Sequence, residues 1–335
     1  MKSVVIESPN RLSIEERPLP VPGENEVRVK IKTASICGSD IHIWHGHNPF
    51  AQYPRVIGHE FAGIIDAVGE GVDDRRVGQR VAVDPVVSCG QCYPCRVGKP
   101  NVCKSLSVIG VHRDGGFSEY ACVPQKNAWV LPDSIPDRIA SLIEPFTIGA
   151  NICGKMQPTA LDTALIYGAG PMGLTAIQVL RHVYQVKKII VADRLDERLA
   201  LAKENGADEI INNTDISLAE VLQEQPTLII DAACHPSILT EAISIASPAA
   251  RIGLLGFSDT PGTLVQKDIT SKEITIFTSR LNDNQFPQVI EWISSGKVFP
   301  DKLITHRFPL ERVLPAMELF EHDARTCCKI ILDVM

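Results

Sequence analysis

The chain has 335 residues, 44% of them hydrophobic, and 33 Lys and Arg stand against 40 Asp and Glu for a formal net charge of −7. That length suggests about two domains, and the apolar content suffices for a core in each, which excludes a disordered chain. With no Lys or Arg run longer than two, the sequence lacks the footprint for nucleic acid or an anionic membrane, and no stretch approaches the ~18 apolar residues of a spanning helix. Glu7 interrupts the apolar run near the N-terminus, so there is no signal-peptide core, and a cytoplasmic protein acting on a small molecule is expected.

From Lys2 to Val87 short β-like runs alternate with Gly and Pro: Ser3 to Ile6, Glu26 to Thr33, Gly63 to Val68 and Arg80 to Val83. This half carries Cys37-Gly38-Ser39-Asp40-x-His42 and Gly58-His59-Glu60, and Glu144-Pro145 follows later. Each residue alone reads as packing. Together, one thiolate, one imidazole and one carboxylate suit a catalytic zinc with a coordination position left open. Ten cysteines in a chain kept in a reducing compartment point to metal rather than disulfides. Cys89-x2-Cys92-x2-Cys95-x7-Cys103 is a dense thiolate loop that suits a closed, structural zinc. An iron–sulfur cluster takes the same ligands and is the competing reading. Cys122, Cys153 and Cys234 read as small buried hydrophobes, and the adjacent Cys327-Cys328 pair as packing one side inward.

Near Leu161 the rhythm changes. The apolar run Ala164 to Tyr167 enters Gly168-Ala169-Gly170-Pro171-Met172-Gly173, and a helical pattern follows through Leu174, Ile177 and Leu180. A strand, a Gly-rich turn and a helix N-terminus form the setting of a dinucleotide fingerprint. Asp193 ends the next strand twenty residues after Gly173, where an acidic partner for the ribose hydroxyls is expected. Its charge repels a 2′-phosphate, which predicts NAD over NADP, although the neighbouring Arg194 is suited to receive that phosphate. Arg198, a turn further on, is a candidate for the adenosine side. The alternation continues through Lys188 to Ala192, Asp196 to Asn205, Leu228 to Asp231, Ser237 to Ala246, Arg251 to Leu255 and Ile274 to Thr278. Parallel β/α units predict a doubly wound sheet. A helix at Phe286 to Ser295 and an apolar stretch at Lys329 to Leu332 read as a return to the first domain.

These motifs, along essentially the whole chain, resemble the zinc-dependent medium-chain dehydrogenases of the alcohol, sorbitol and threonine dehydrogenase superfamily. Cys37 to Asp40, Gly58 to Phe61, Asp84-Pro85 and Ile143 to Phe146 look closest to its branch of sugar-acid and polyol dehydrogenases, the one containing starvation-sensing protein B. The resemblance implies an α/β protein with a GroES-like, mostly β catalytic domain (1–149 and 286–335) and a Rossmann NAD-binding domain (150–285). It makes Cys37 and His59 zinc ligands, Glu60 a carboxylate that exchanges on and off the metal, and Glu144 the holder of the third protein position. Liver- and yeast-type alcohol dehydrogenases have cysteine where Glu144 stands, so this sequence follows the polyol branch. Asp40 matches the carboxylate that orients the zinc-bound histidine.

The expected chemistry is hydride transfer between a secondary alcohol of a sugar acid or polyol and NAD, with one catalytic and one structural zinc per chain. By the resemblance, Ser39 accepts the alcohol proton and passes it through the nicotinamide ribose to His42; a surface histidine without a role is the bland reading. Trp44, His45, His47, Asn48 and Phe50 follow and suit a polyhydroxylated substrate, with Trp44 and His47 the leading candidates. Arg113 and Arg280 are candidates to meet a sugar-acid carboxylate. A threonine-type dehydrogenase is the rival enzyme, and a non-catalytic sensor of metabolite or NAD the rival of another class. Fold analogy implies a homodimer or homotetramer.

Overall fold

Burial along Glu26–Ser35 alternates residue by residue up to Thr33 and then stops alternating, so that Thr33, Ala34 and Ser35 are all buried. A half-exposed strand has become one enclosed on both faces. This is the computed structural model of the protein; it describes all 335 residues, and the chain divides into two units. The first comprises Met1–Glu144, Phe286–Ser295 and Leu303–Met335. Its main sheet runs Ala128–Val130, Arg80–Val83, Glu60–Val68, Glu26–Ser35, Lys329–Asp333, Ile304–Pro309, with Tyr120–Pro124 also paired to Glu26–Ser35. Register sets Ser35 opposite Glu60 on one side and Ile331 on the other. The enclosed end of one strand, the start of a second and the start of a third therefore meet. A smaller sheet joins Arg11–Glu16, Lys2–Ser8 and Arg55–Val56.

The second unit, Pro145–Gln285 with Gly296–Lys302, holds six parallel strands in the order Glu209–Asn212, Lys188–Asp193, Thr163–Tyr167, Leu228–Asp231, Arg251–Leu254, Thr275–Thr278. Helices complete the doubly wound pattern, and Leu165, Ile190, Ile229 and Ile252 lie in its core. Gly296–Lys302 is tied in by Gln178, whose buried amide donates to the Phe299 carbonyl (3.1 Å) and accepts from the Phe299 N–H (2.6 Å).

Several elements depart from the sequence reading, which did not name Arg11–Glu16, Tyr120–Pro124, Ile304–Pro309 or the helix Val313–His322 among others. The strand Glu209–Asn212 escaped notice because four residues with polar ends carry too little pattern. The helix Ile143–Met156, also unnamed from the sequence, contains Pro145, Gly149 and Gly154, residue types that disfavour a helix interior. Pro145 lies in the first turn, where its missing N–H costs nothing, and a Cβ on Gly149 would stand 2.7 Å from Thr175 Oγ1, so that glycine serves packing. No helix is long and apolar enough to cross a membrane.

Candidate active site

Cys37 follows the enclosed strand end and caps the short helix Gly38–Trp44. Its N–H donates to Asp40 Oδ2 (2.9 Å), and the Gly58 N–H donates to Asp40 Oδ1 (3.3 Å), so the fully buried Asp40 clamps both motifs together. His59 precedes Glu60 at the start of the neighbouring strand. Its Nδ1 faces Asp40 Oδ1 at 3.5 Å, while Nε2 lies 3.5 Å from the Ser39 hydroxyl. The ligand atoms of Cys37, His59 and Glu60 all lie within 4.8 Å of one another. Glu144, buried in the first turn of its helix, stands outside that set, near enough for His59, Glu60 and Lys329 to act on it.

Electrostatics test whether these residues suit a cation. Burial disfavours an imidazolium at His59, yet Asp40 and Cys37 outweigh it and hold the ring's proton well above the usual histidine range. Burial pushes the Glu144 carboxyl up to about 8, against the pull of His59 and with the repulsion of Glu60. Without metal, then, the cluster gathers protons where a divalent ion would sit. A thiol, an imidazole and carboxylates sharing one buried locus fit zinc.

The second cluster passes a sharper test. Zn–S bonds of ~2.3 Å in a tetrahedron require sulfurs about 3.8 Å apart. Here Cys92 Sγ lies 3.5 Å from Cys95 Sγ and 3.7 Å from Cys103 Sγ, and Cys103 Sγ lies 3.4 Å from Cys89 Sγ. Backbone N–H groups aim at the sulfurs: Lys104 at Cys92 (3.5 Å), and Cys89 and Ser105 at Cys103 (3.3 Å each). The Lys104 and Cys95 amides draw the Cys92 thiol down to about 6, whereas burial and neighbouring thiols push Cys95 up to about 11.

In the second unit, a cavity of about 660 Å³ opens over the Gly-rich turn and can hold a dinucleotide. Gly168, Gly170, Pro171, Met172, Asp193, Arg194 and Arg198 all line it. Gly168 adopts φ +92°, and a Cβ on Gly173 would stand 1.9 Å from the Gly168 carbonyl oxygen, so strand and helix meet there without room for a side chain. Asp193 accepts from the Ala169 N–H (2.7 Å) through Oδ2 and from the Leu195 N–H (3.0 Å) through Oδ1. The turn thus fixes its carboxylate. Asn213, His235 and Glu241, which the sequence did not single out, also line the cavity.

Other candidates separate. His42 is exposed and one turn beyond Ser39, 6.3 Å ring to ring from the exposed His47. Trp44 stacks on His45 (4.7 Å), which bonds Asn10 (2.6 Å) and Glu321 (3.0 Å), so His45 anchors the helix end. Arg113 pairs with Glu26 at 2.6 Å, and Arg280 lies over the Phe257 ring at 5.5 Å; both already have partners. Sequence reasoning missed Lys329, read as the start of an apolar stretch. It is buried, with Nζ at 2.5 and 2.6 Å from the Glu60 oxygens. A lone lysine on the same strand face as Ile331 was the available signal.

Residues 23–133 match the family of the alcohol dehydrogenase GroES-like domain, and residues 171–295 match the zinc-binding dehydrogenase family. The chain is 63% identical over 335 residues to the starvation-sensing protein RspB of Escherichia coli, covering 99% of each. A crystal structure of an alcohol dehydrogenase (rspB) from E. coli, complexed with NADH, superposes with a TM-score of 0.98 at 62% identity and 99% coverage of both chains. L-galactonate-5-dehydrogenase of E. coli is 34% identical over 330 residues, 96% of this chain and 95% of that protein.

Proposed function

The chain belongs to the zinc-binding dehydrogenases, and on that premise we propose that it oxidises a secondary alcohol of a sugar acid or polyol, with hydride transfer to NAD. The observation that carries this reading is the convergence of Cys37, His59 and Glu60 within 4.8 Å, beside the Ser39 hydroxyl. When bound, zinc at Cys37, His59 and the carboxylates supplies Lewis acidity toward an alcohol oxygen, and NAD supplies the hydride acceptor. The chain's residues do the rest. Asp40 holds His59 with Nδ1 inward, leaving Nε2 for the metal. Ser39 takes the alcohol proton, and His42, exposed and three residues along the same helix, exchanges it with solvent. Asp193, fixed by two backbone N–H groups, takes the ribose hydroxyls and repels a 2′-phosphate. The complex of a 62% identical relative with NADH supports this choice of cofactor.

The polyhydroxylated substrate is supported by the mixed aromatic and imidazole character of Trp44 and His47, by a carboxylate at Glu144, and by the likeness to L-galactonate-5-dehydrogenase. The test is a panel of aldonates, polyols and L-threonine with NAD, followed by NADH formation, alongside measured zinc content. Turnover of an aldonate or polyol with about two zinc ions per chain is expected. Turnover of L-threonine alone would replace the substrate class, and a zinc-free protein inert toward the panel would falsify the enzymatic reading.

A further inference from the structure

A second cavity, of about 490 Å³, opens in the first unit; Arg17, Arg55 and Arg113 line it, and none of Cys37, His59 and Glu60 does. Asp114, also in the lining, accepts from Arg17 Nη1 through Oδ2 (3.0 Å) and from Arg55 Nη1 through Oδ1 (3.0 Å). Arg113 donates through Nη2 to Glu26 (2.6 Å). A guanidinium carries five N–H donors on three nitrogens, and each of these three commits only one nitrogen. Arg55 Nε is buried and has no hydrogen-bond partner. The charges do not cancel either. Arg17, Arg55 and Arg113 meet only Asp114 and Glu26, while the Met1 ammonium is matched by Glu16 at 3.3 Å, so one positive charge is left over.

Backbone contacts hold this arrangement in place. The Val56 N–H also donates to Asp114 Oδ1 (3.2 Å), and the Gly115 N–H donates to the Val56 carbonyl (2.8 Å). A Cβ on Gly115 would stand 2.2 Å from the Gly58 carbonyl oxygen, so the turn carrying Arg113 and Asp114 is packed against the segment that carries Arg55. Guanidiniums held in advance lose little freedom when they take an anion. Pro18, Leu19 and Val56 add apolar wall, which suits a carbon skeleton better than a bare ion.

We propose that this cavity binds a small organic anion, a sugar derivative carrying a carboxylate or a phosphate, whose charged group takes the uncommitted N–H donors of Arg17, Arg55 and Arg113. The proposal does not depend on the zinc reading. Arg113, expected from the sequence to meet a sugar-acid carboxylate, does so here rather than beside the metal donors.

The test is calorimetric titration of the full-length holoprotein, without NAD and at low ionic strength, with D-gluconate, glucose 6-phosphate and inorganic phosphate in turn. At least one of the two sugar derivatives should bind at millimolar concentration or below, and which of them binds tells carboxylate from phosphate. Affinity should fall roughly tenfold or more in Arg55→Met, which removes a charge-assisted pair. Leu19→Glu guards against a folding failure: at this half-exposed position a carboxylate costs the fold little, yet it should repel the probe and weaken binding by a similar factor. A parent that binds neither sugar derivative overturns the proposal, as does binding of inorganic phosphate alone, which would be an adventitious ion only. Parent-like affinity in Leu19→Glu overturns it too. Cys37→Ser separates this cavity from the metal donors. It should keep the binding, whereas binding lost in Cys37→Ser and kept in Arg55→Met belongs to the metal site and equally overturns the proposal.

Discussion

Asp193 and Glu144 are single residues whose surroundings set what they can do. Asp193 uses both oxygens on backbone N–H groups, so its charge is anchored in the nucleotide cavity and cannot swing away from a 2′-phosphate. Asp193→Ser removes that repulsion beside Arg194, and the ratio of kcat/KM for NADPH to that for NADH should rise by roughly tenfold or more. Glu144 offers a pH test on the metal-free protein. Its carboxyl is raised by burial from 4.5 to about 8, so the folded state holds that proton more tightly than the unfolded chain does. The stability it contributes is complete below the unfolded value and lost as pH rises through the folded one. Urea midpoints of the metal-free protein should therefore fall between about pH 5 and about pH 8, and Glu144→Gln should flatten that slope. An unchanged slope would mean that Glu144 does not titrate in this window.

At the scale of elements, the turn that opens the helix Pro171–Gln178 and the four-cysteine loop are each built from neighbours in sequence. A Cβ at Gly173 meets backbone, which cannot move aside, so Gly173→Ala should cost about 2 kcal/mol or more, seen as a lowered Tm with weakened NADH binding. Cys103→Ser should remove one zinc per chain and expose residues 88–105 to proteolysis, while NADH binding in the second unit survives. These two sites were legible in the sequence because their spacing is their geometry: six residues span the turn and fifteen the thiolates. Cys37, His59 and Glu60 were legible only through combination and resemblance. Lys329 was not legible at all. It lies 269 residues from Glu60, and nothing in KIILD says which strand it will flank. The helix Ile143–Met156 was hidden for another reason: local propensity argued against it, and packing overrode propensity.

Across the whole molecule, metal donors and nucleotide cavity divide between the units. Cys37, His59, Glu60 and the four thiolates belong to the first, and every residue lining the cavity over the Gly-rich turn belongs to the second. Extraction of zinc should therefore abolish turnover and lower the unfolding temperature of the first unit, yet leave NADH affinity within about threefold as read by fluorescence titration. Loss of NADH binding in step with zinc would show that the two units do not respond independently.

The strand Lys329–Asp333 lies between Glu26–Ser35 and Ile304–Pro309, and Lys329 reaches the Ile36 carbonyl across 293 residues of chain. The second unit lies within that interval. The main sheet of the first unit is therefore complete only after a very long loop has closed, and folding of the metal-donor unit carries the slow, non-local pairing that such closure entails.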